Sequence, residues 1–224
     1  MRRTTNAIAI VTAVCLLTAA PVWADTFTEP GDVGDMPGTA EPVVGSPSLS
    51  LDAIVGAINF PNDADMYLIH IVDPAGFSAS TDNLVTQNGV RDTMLFLFDQ
   101  AGFAIIGADG TDTKVNPSEI PLGSFTGPAG DYLLAISEYE LVPVNAGGRM
   151  FTTEITGPLS LTATGGDSPI SGWQQFRNPG PGAGSYQIDL TGATFAPLPP
   201  AVWAGLTLLS ALGITRTARR RRIA

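Results

Sequence analysis

Between Leu49 and Leu190 the apolar residues recur at a spacing of two or in short unbroken runs. No 12-residue window from Asp25 to Phe195 carries a helical stripe. A chain so patterned must bury its apolar side chains on pleated sheets. Met66 to Val72 has strand composition and is closed by Asp73 and Pro74. Phe77 to Thr81 alternates large and small side chains. Thr93 to Phe98 and Phe103 to Ile106 flank a turn, Asp99 to Gly102, in which glycine can take the positive φ that a hairpin needs. A Gly-Pro-Ala-Gly turn ending at Gly130 leads into Asp131 to Ser137, and alternation in Ser185 to Leu190 puts Tyr186, Ile188 and Leu190 on one face. Many short strands at loose spacing predict an all-β chain. The expected architecture is a single antiparallel β-sandwich of the jelly-roll kind over residues 49–194.

Two stretches depart from this pattern. Residues 25–48 are polar, rich in Gly and Pro and without apolar period, and read as an extended leader. Nine glycines and four prolines fall between Asn145 and Gly184, which predicts a loop region over 141–184 with a strand only at Leu159 to Ala163. Trp173 lies in that region and is a candidate glycan contact, because an indole on a loop can stack on a sugar ring.

The two ends read as addresses. Arg2 and Arg3, the apolar run Ala7 to Ala20 and the small-residue pattern Val22-Trp23-Ala24 predict a signal peptide over 1–24, handled by the Sec translocon and signal peptidase. Cys15 sits inside that segment, so the exported chain is expected to carry no cysteine, and thiol or disulfide chemistry falls away. At the other end, residues 195–224 combine a Pro-rich approach, a 15-residue apolar run over 201–215 and an Arg cluster. A helix of that length rises roughly 22 Å, short for a membrane core of about 30 Å. The stems of Arg216, Arg219, Arg220, Arg221 and Arg222 can extend it and hold the basic flank in the cytoplasm as a membrane stop.

This tail resembles the C-terminal sorting signals of the PEP-CTERM type, in the variant that reads Val-Pro-Leu-Pro-Ala. Here Ala196 precedes Pro197, Leu198 and Pro199, and Pro200 follows, so the first and last positions of the motif differ. The resemblance implies a Gram-negative source and cleavage by an exosortase-like membrane protease. It also implies delivery, after transient anchoring in the inner membrane, to the cell surface or an exopolysaccharide-rich matrix.

The middle of the chain carries a second resemblance. Asn62 to Tyr67, Asp92 to Asp99 with Gly102, and Gly130 to Ser137 occur in that order. They are similar to the bacterial prepeptidase C-terminal (PPC) domain, which implies a noncatalytic, often calcium-binding β-sandwich. Where that family commonly shows Asn-Asp-Asp after the hairpin, this chain has Asp109-Gly-Thr-Asp112.

Charge and composition narrow the chemistry. Seven of the 11 Lys and Arg residues lie in the two terminal segments, whereas all 21 acidic residues lie between Asp25 and Asp189. The exported part therefore holds four basic residues against 21 acidic ones, a net charge of −17. Such a field repels nucleic acid and attracts divalent cations. Asp63, Asp65, Asp109 and Asp112 are the candidate metal ligands, since calcium takes six to eight oxygens and Asp-x-Asp in a turn presents two carboxylates together. No other cofactor is expected. His70 is the only histidine, falls mid-strand and has no Gly-x-Ser-x-Gly elbow to serve, so no catalytic residue is assigned. The expectation is a noncatalytic surface or matrix protein. The alternative is a secreted carbohydrate-binding module or carboxylate-dependent hydrolase.

Overall fold

The computed structural model describes residues 25–46, 48–59, 62–81, 92–110, 118–151, 159–162, 167–176 and 184–196. Both terminal segments, with the signal peptide, the sorting motif from Pro197 and the Arg cluster, lie outside the described residues, as does Asp112. The described chain is all-β and contains no helix.

Its strands, in order, are β1 (Asp25–Thr28), β2 (Glu41–Pro42), β3 (Leu51–Ile58), β4 (Ala64–Ile71), β5 (Ser78–Ser80), β6 (Thr93–Asp99), β7 (Ala104–Asp109) and β8 (Glu119–Ile120). They continue with β9 (Gly130–Glu138), β10 (Leu141–Asn145), β11 (Gly148–Arg149), β12 (Leu159–Thr162), β13 (Gly172–Gln175), β14 (Gly184–Thr191) and β15 (Ala193–Thr194). One sheet of five strands runs β1-β3-β14-β5-β8. A sheet of seven runs β12-β7-β6-β9-β4-β15 with β2 beside β4, and a sheet of three runs β11-β10-β13.

The alternation of side chains assigns the layers. Leu95 and Leu97 of β6, Tyr67, Ile69 and Ile71 of β4, and Leu134 and Ile136 of β9 join Ile54 of β3 and Tyr186, Ile188 and Leu190 of β14 in one buried cluster. The five- and seven-stranded sheets thus share a core. The other face of the seven-stranded sheet carries Met66, Met94, Phe96, Phe98, Leu133 and Ala135, and these meet Val142, Met150, Phe151 and Ile170 in a second cluster. This is why Thr93 to Phe98 reads as an unbroken apolar run: β6 is covered on both faces. Each fully buried Phe or Leu there contributes about 1.5–3 kcal/mol.

Two expectations need correction. The stretch read as a leader supplies two strands, and both pair parallel, β1 with β3 and β2 with β4, so the sheets are mixed rather than purely antiparallel. The stretch read as loops supplies β10 to β13, of which β10, β11 and β13 make the three-stranded sheet. Their Gly and Pro content hid them, and packing on Phe96 and Phe98 compensates for weak strand propensity. The hairpin β6–β7 is as expected, with Gly102 at φ +88° in its turn. The strand read at 159–163 is β12, paired with β7.

Candidate cation site

The site forms where the amino-terminal stretch runs beside the end of β3 and the start of β4. Glu29 continues β1: its N–H donates to the Val55 carbonyl at 2.9 Å, and its Oε2 accepts from the Ala57 N–H at 2.8 Å. Three residues on, Asp32 accepts through Oδ1 from Asn59 Nδ2 at 2.8 Å. Asn59, in turn, donates its N–H to Asp63 Oδ2 at 2.8 Å, closing the connection into β4. Asp65 is the second residue of β4 and shares the inward face with Tyr67.

Asp65 is fully buried, at 0% exposure. Its Oδ2 accepts from the Tyr186 hydroxyl at 2.6 Å, and that hydroxyl lies 2.5 Å from the Tyr67 hydroxyl. Because Tyr186 gives its proton to Asp65, Tyr67 must donate to Tyr186. The chain of three groups crosses the core from β14 to β4. Asp65 Oδ1 and Glu29 Oε1 are buried, and among the described residues no group makes a well-formed hydrogen bond to either, although the Val33 N–H lies close enough to Glu29 to favour its charged form.

One ligand oxygen from each of Glu29, Asp32 and Asp65 can be chosen so that all lie within 4.8 Å of one another. Oxygens on a common calcium ion sit 2.3–2.6 Å from it, so this spread is what one ion spans. A cleft of ≈ 330 Å³, lined by Thr28, Glu29, Gly31, Asp32, Val55, Gly56, Ala57 and Asn59, gives access from solvent. Gly56 is required here. A Cβ at that position would fall 2.4 Å from Glu29 Oε2 and 2.5 Å from the Tyr186 hydroxyl.

The electrostatics agree with the geometry. Burial, helped by the negative charges of Glu29, Asp63 and Asp32, pushes Asp65 up to about 8 despite the Tyr186 hydrogen bond. Burial likewise raises Glu29, against the hydrogen bond from Ala57. Uncompensated buried carboxylates are costly, and a divalent cation both neutralises them and fills their empty lone pairs. The donor set is all oxygen, which suits calcium rather than zinc.

The four candidates from the sequence separate. Asp65 joins the site and Asp63 lies beside it, within electrostatic reach of Glu29 and Asp65. Asp109 does not join them. It pairs in register with Met94 on the outward face of the seven-stranded sheet, and β6 and β9 stand between its strand and β4. Three strand spacings of about 4.8 Å, on opposite faces, keep Asp109 and Asp65 from sharing an ion. Sequence reasoning missed Glu29 and Asp32. The density of acidic residues in 25–48 was the only signal for them, and nothing in their spacing points to Asp65.

Trp173 of β13 is half-buried, packs edge-on against Phe96 at 5.6 Å, and donates its Nε1–H to the Asp35 carbonyl at 2.7 Å. It ties the amino-terminal stretch to the three-stranded sheet. His70 Nδ1 lies 2.6 Å from Asp131 Oδ1, and among the described residues Asp131 is its only hydrogen-bond partner. Among the described residues no hydroxyl is bonded to the imidazole. A scan against protein-family models and a search of curated proteins find no match to this chain.

Proposed function

We propose that this chain is an exported, noncatalytic β-sandwich protein of jelly-roll or PPC-like form that takes up a calcium-class cation. The Glu29–Asp32–Asp65 site carries this reading, with one carboxylate oxygen from each residue inside an ion-sized spread and two of the three residues holding a buried oxygen that no described group reaches. The ion would be held by Glu29 and Asp32 from the amino-terminal stretch and Asp65 from β4, so its chemistry is a cross-link between the two. The −17 charge of the exported part concentrates such cations. Delivery is through the signal peptide and the Pro197–Pro200 sorting motif to an exosortase-like protease, ending at the cell surface or in an exopolysaccharide matrix.

Calorimetric titration of the full chain with calcium tests the site. Saturable binding, with a Kd of about 10⁻⁴–10⁻³ M as in other extracellular modules, is expected, and Asp65→Asn removes it. Absence of both heat and thermal stabilisation at millimolar calcium overturns the reading. For delivery, the intact mass of protein from the host's surface fraction should begin at Asp25 and end between Pro197 and Pro200. A mass that runs through Ala224 overturns the sorting.

A further inference from the structure

Two tyrosine hydroxyls meet in the apolar core between the five- and seven-stranded sheets, where phenylalanine would pack as well and need no partner. Tyr67 is 0% exposed and Tyr186 1%. Tyr67 and Asp65 are two residues apart on β4 and so share a face. Tyr186 reaches them from β14, where it stands opposite Gly56 of β3. The bare backbone of Gly56 leaves room for the Tyr186 hydroxyl and for Glu29 Oε2, both of which a Cβ there would strike.

Each carboxylate of the cation site is held by one hydrogen bond from another part of the chain. The Ala57 N–H holds Glu29 Oε2, the Asn59 side chain holds Asp32 Oδ1, and the Tyr186 hydroxyl holds Asp65 Oδ2. Ala57 donates from the backbone of β3, and Asn59 is exposed beside it. Tyr186 is the holder that acts from within the core.

Holding matters because like charges repel, and an ionised carboxylate free to turn would rotate away from its neighbours. The bond from Tyr186, at 2.6 Å, is of the charge-assisted kind, about twice as strong as one between neutral groups. Tyr67 adds to it. By donating to the Tyr186 oxygen, 2.5 Å away, it polarises the O–H that Tyr186 gives to Asp65.

Given the cation reading of Glu29, Asp32 and Asp65, on which this rests, we infer that Tyr186 is the positioning residue of the site and that Tyr67 acts on the ion only through Tyr186. Neither hydroxyl is a ligand. Tyr186 fixes the buried Asp65 carboxylate in the orientation that sets one of its oxygens within ligand distance of Glu29 and Asp32. Because β14 belongs to the five-stranded sheet and β4 to the seven-stranded one, the pair ties the ion to both layers.

Calorimetric titration of the full chain with calcium chloride tests this, each variant first shown to be folded by circular dichroism. Removing an outer partner of a metal ligand costs about 10–100-fold in affinity, so Tyr186→Phe is expected to raise the Kd by that factor. Tyr67→Phe should raise it less, and added to Tyr186→Phe it should raise it no further. Ile188→Val trims the same core cluster without touching a hydroxyl, so it should lower stability and leave the Kd unchanged. Should Tyr186→Phe fail to fold, Tyr67→Phe alone must still weaken binding, and an unaltered Kd in it overturns the positioning role. A parent chain that takes up no calcium fails the cation reading and the positioning role together. A parent that binds while Tyr186→Phe keeps the parental Kd, or a Tyr67→Phe effect undiminished in the Tyr186→Phe background, overturns the positioning role and leaves the cation reading standing.

Discussion

Glu29 and Asp32 line a cleft that solvent enters, with the buried Asp65 within ligand distance of them, whereas Asp109 and Glu140 are buried on the other side of the seven-stranded sheet or at its edge, away from that cleft. Both groups crowd carboxylates with unmade hydrogen bonds, and burial raises the folded pKa of members of each. They differ in what can reach them. At the cleft, Tyr186 holds one oxygen of Asp65, and a carboxylate oxygen of Asp65 lies within ligand distance of Glu29 and Asp32, both of which line the solvent-entered space. Around Asp109 no three described ligand groups gather closely enough for one ion, and a proton is the remaining way to neutralise a buried carboxylate. The same residue type is set within reach of a cation in one place and closed off from one in the other, and access makes the difference.

The largest expected effect separates the two groups directly. In EDTA, urea stability should fall as pH rises from about 4 to about 8, because Asp65 near 8 and Asp109 near 7 bind protons more tightly folded than unfolded. The two shifts set ceilings of roughly 6 kcal/mol for Asp65 and roughly 4 kcal/mol for Asp109. Saturating calcium should restore the Asp65 share and leave the Asp109 share. If calcium restores both, the two clusters are not independent.

Next in size, calcium at a hundred times its Kd should add about 2.7 kcal/mol. Asp65→Asn should abolish that gain in chemical denaturation, and Asp109→Asn should leave it intact. A smaller change tests the approach of Glu29 to Tyr186. Gly56→Ala should cost about 1–3 kcal/mol by overpacking and weaken calcium binding, whereas Gly31→Ala, with nothing within 4 Å of its Cβ, should do neither.

Trp173→Phe loses the hydrogen bond to Asp35 and part of the contact with Phe96. About 1 kcal/mol of stability should go, with calcium affinity unchanged in the same titration. The smallest effect belongs to His70→Gln. The half-exposed pair with Asp131 is worth about 0–1 kcal/mol, and a larger loss in thermal melts would give that pair a role that its exposure does not indicate.

The hairpin around Gly102 and the alternation of Tyr186, Ile188 and Leu190 were legible because each is set by neighbours in the chain. Strands β1 and β2 were not, since a parallel partner is chosen far along the chain and needs no local apolar period. Strands β10, β11 and β13 were hidden by glycine and proline, whose weak propensity is overridden once Met150, Phe151 and Trp173 find the aromatic face of β6. At the site, Asp65 was legible from Asp-x-Asp before a strand. Glu29 and Asp32 were not, because 33 residues separate Asp32 from Asp65 and only the crossing of β1 beside β3 brings them together.

By itself, then, the sequence determined that the chain is all-β, that Thr93 to Phe98 forms a hairpin with Phe103 to Ile106, and that acidic groups are in excess. Two-residue periodicity, apolar runs and charge are properties of neighbouring residues, and they survive in any arrangement of the chain. Only the tertiary structure decided which carboxylates share a space. It set Asp65 inward beside Tyr186 and Asp109 outward beside Met94, three strands apart. Carboxylates repel wherever they meet, so no local preference assembles them. They are brought together by the burial of Tyr67, Tyr186, Phe96 and Phe98, which favours the packed state strongly enough to hold like charges near one another.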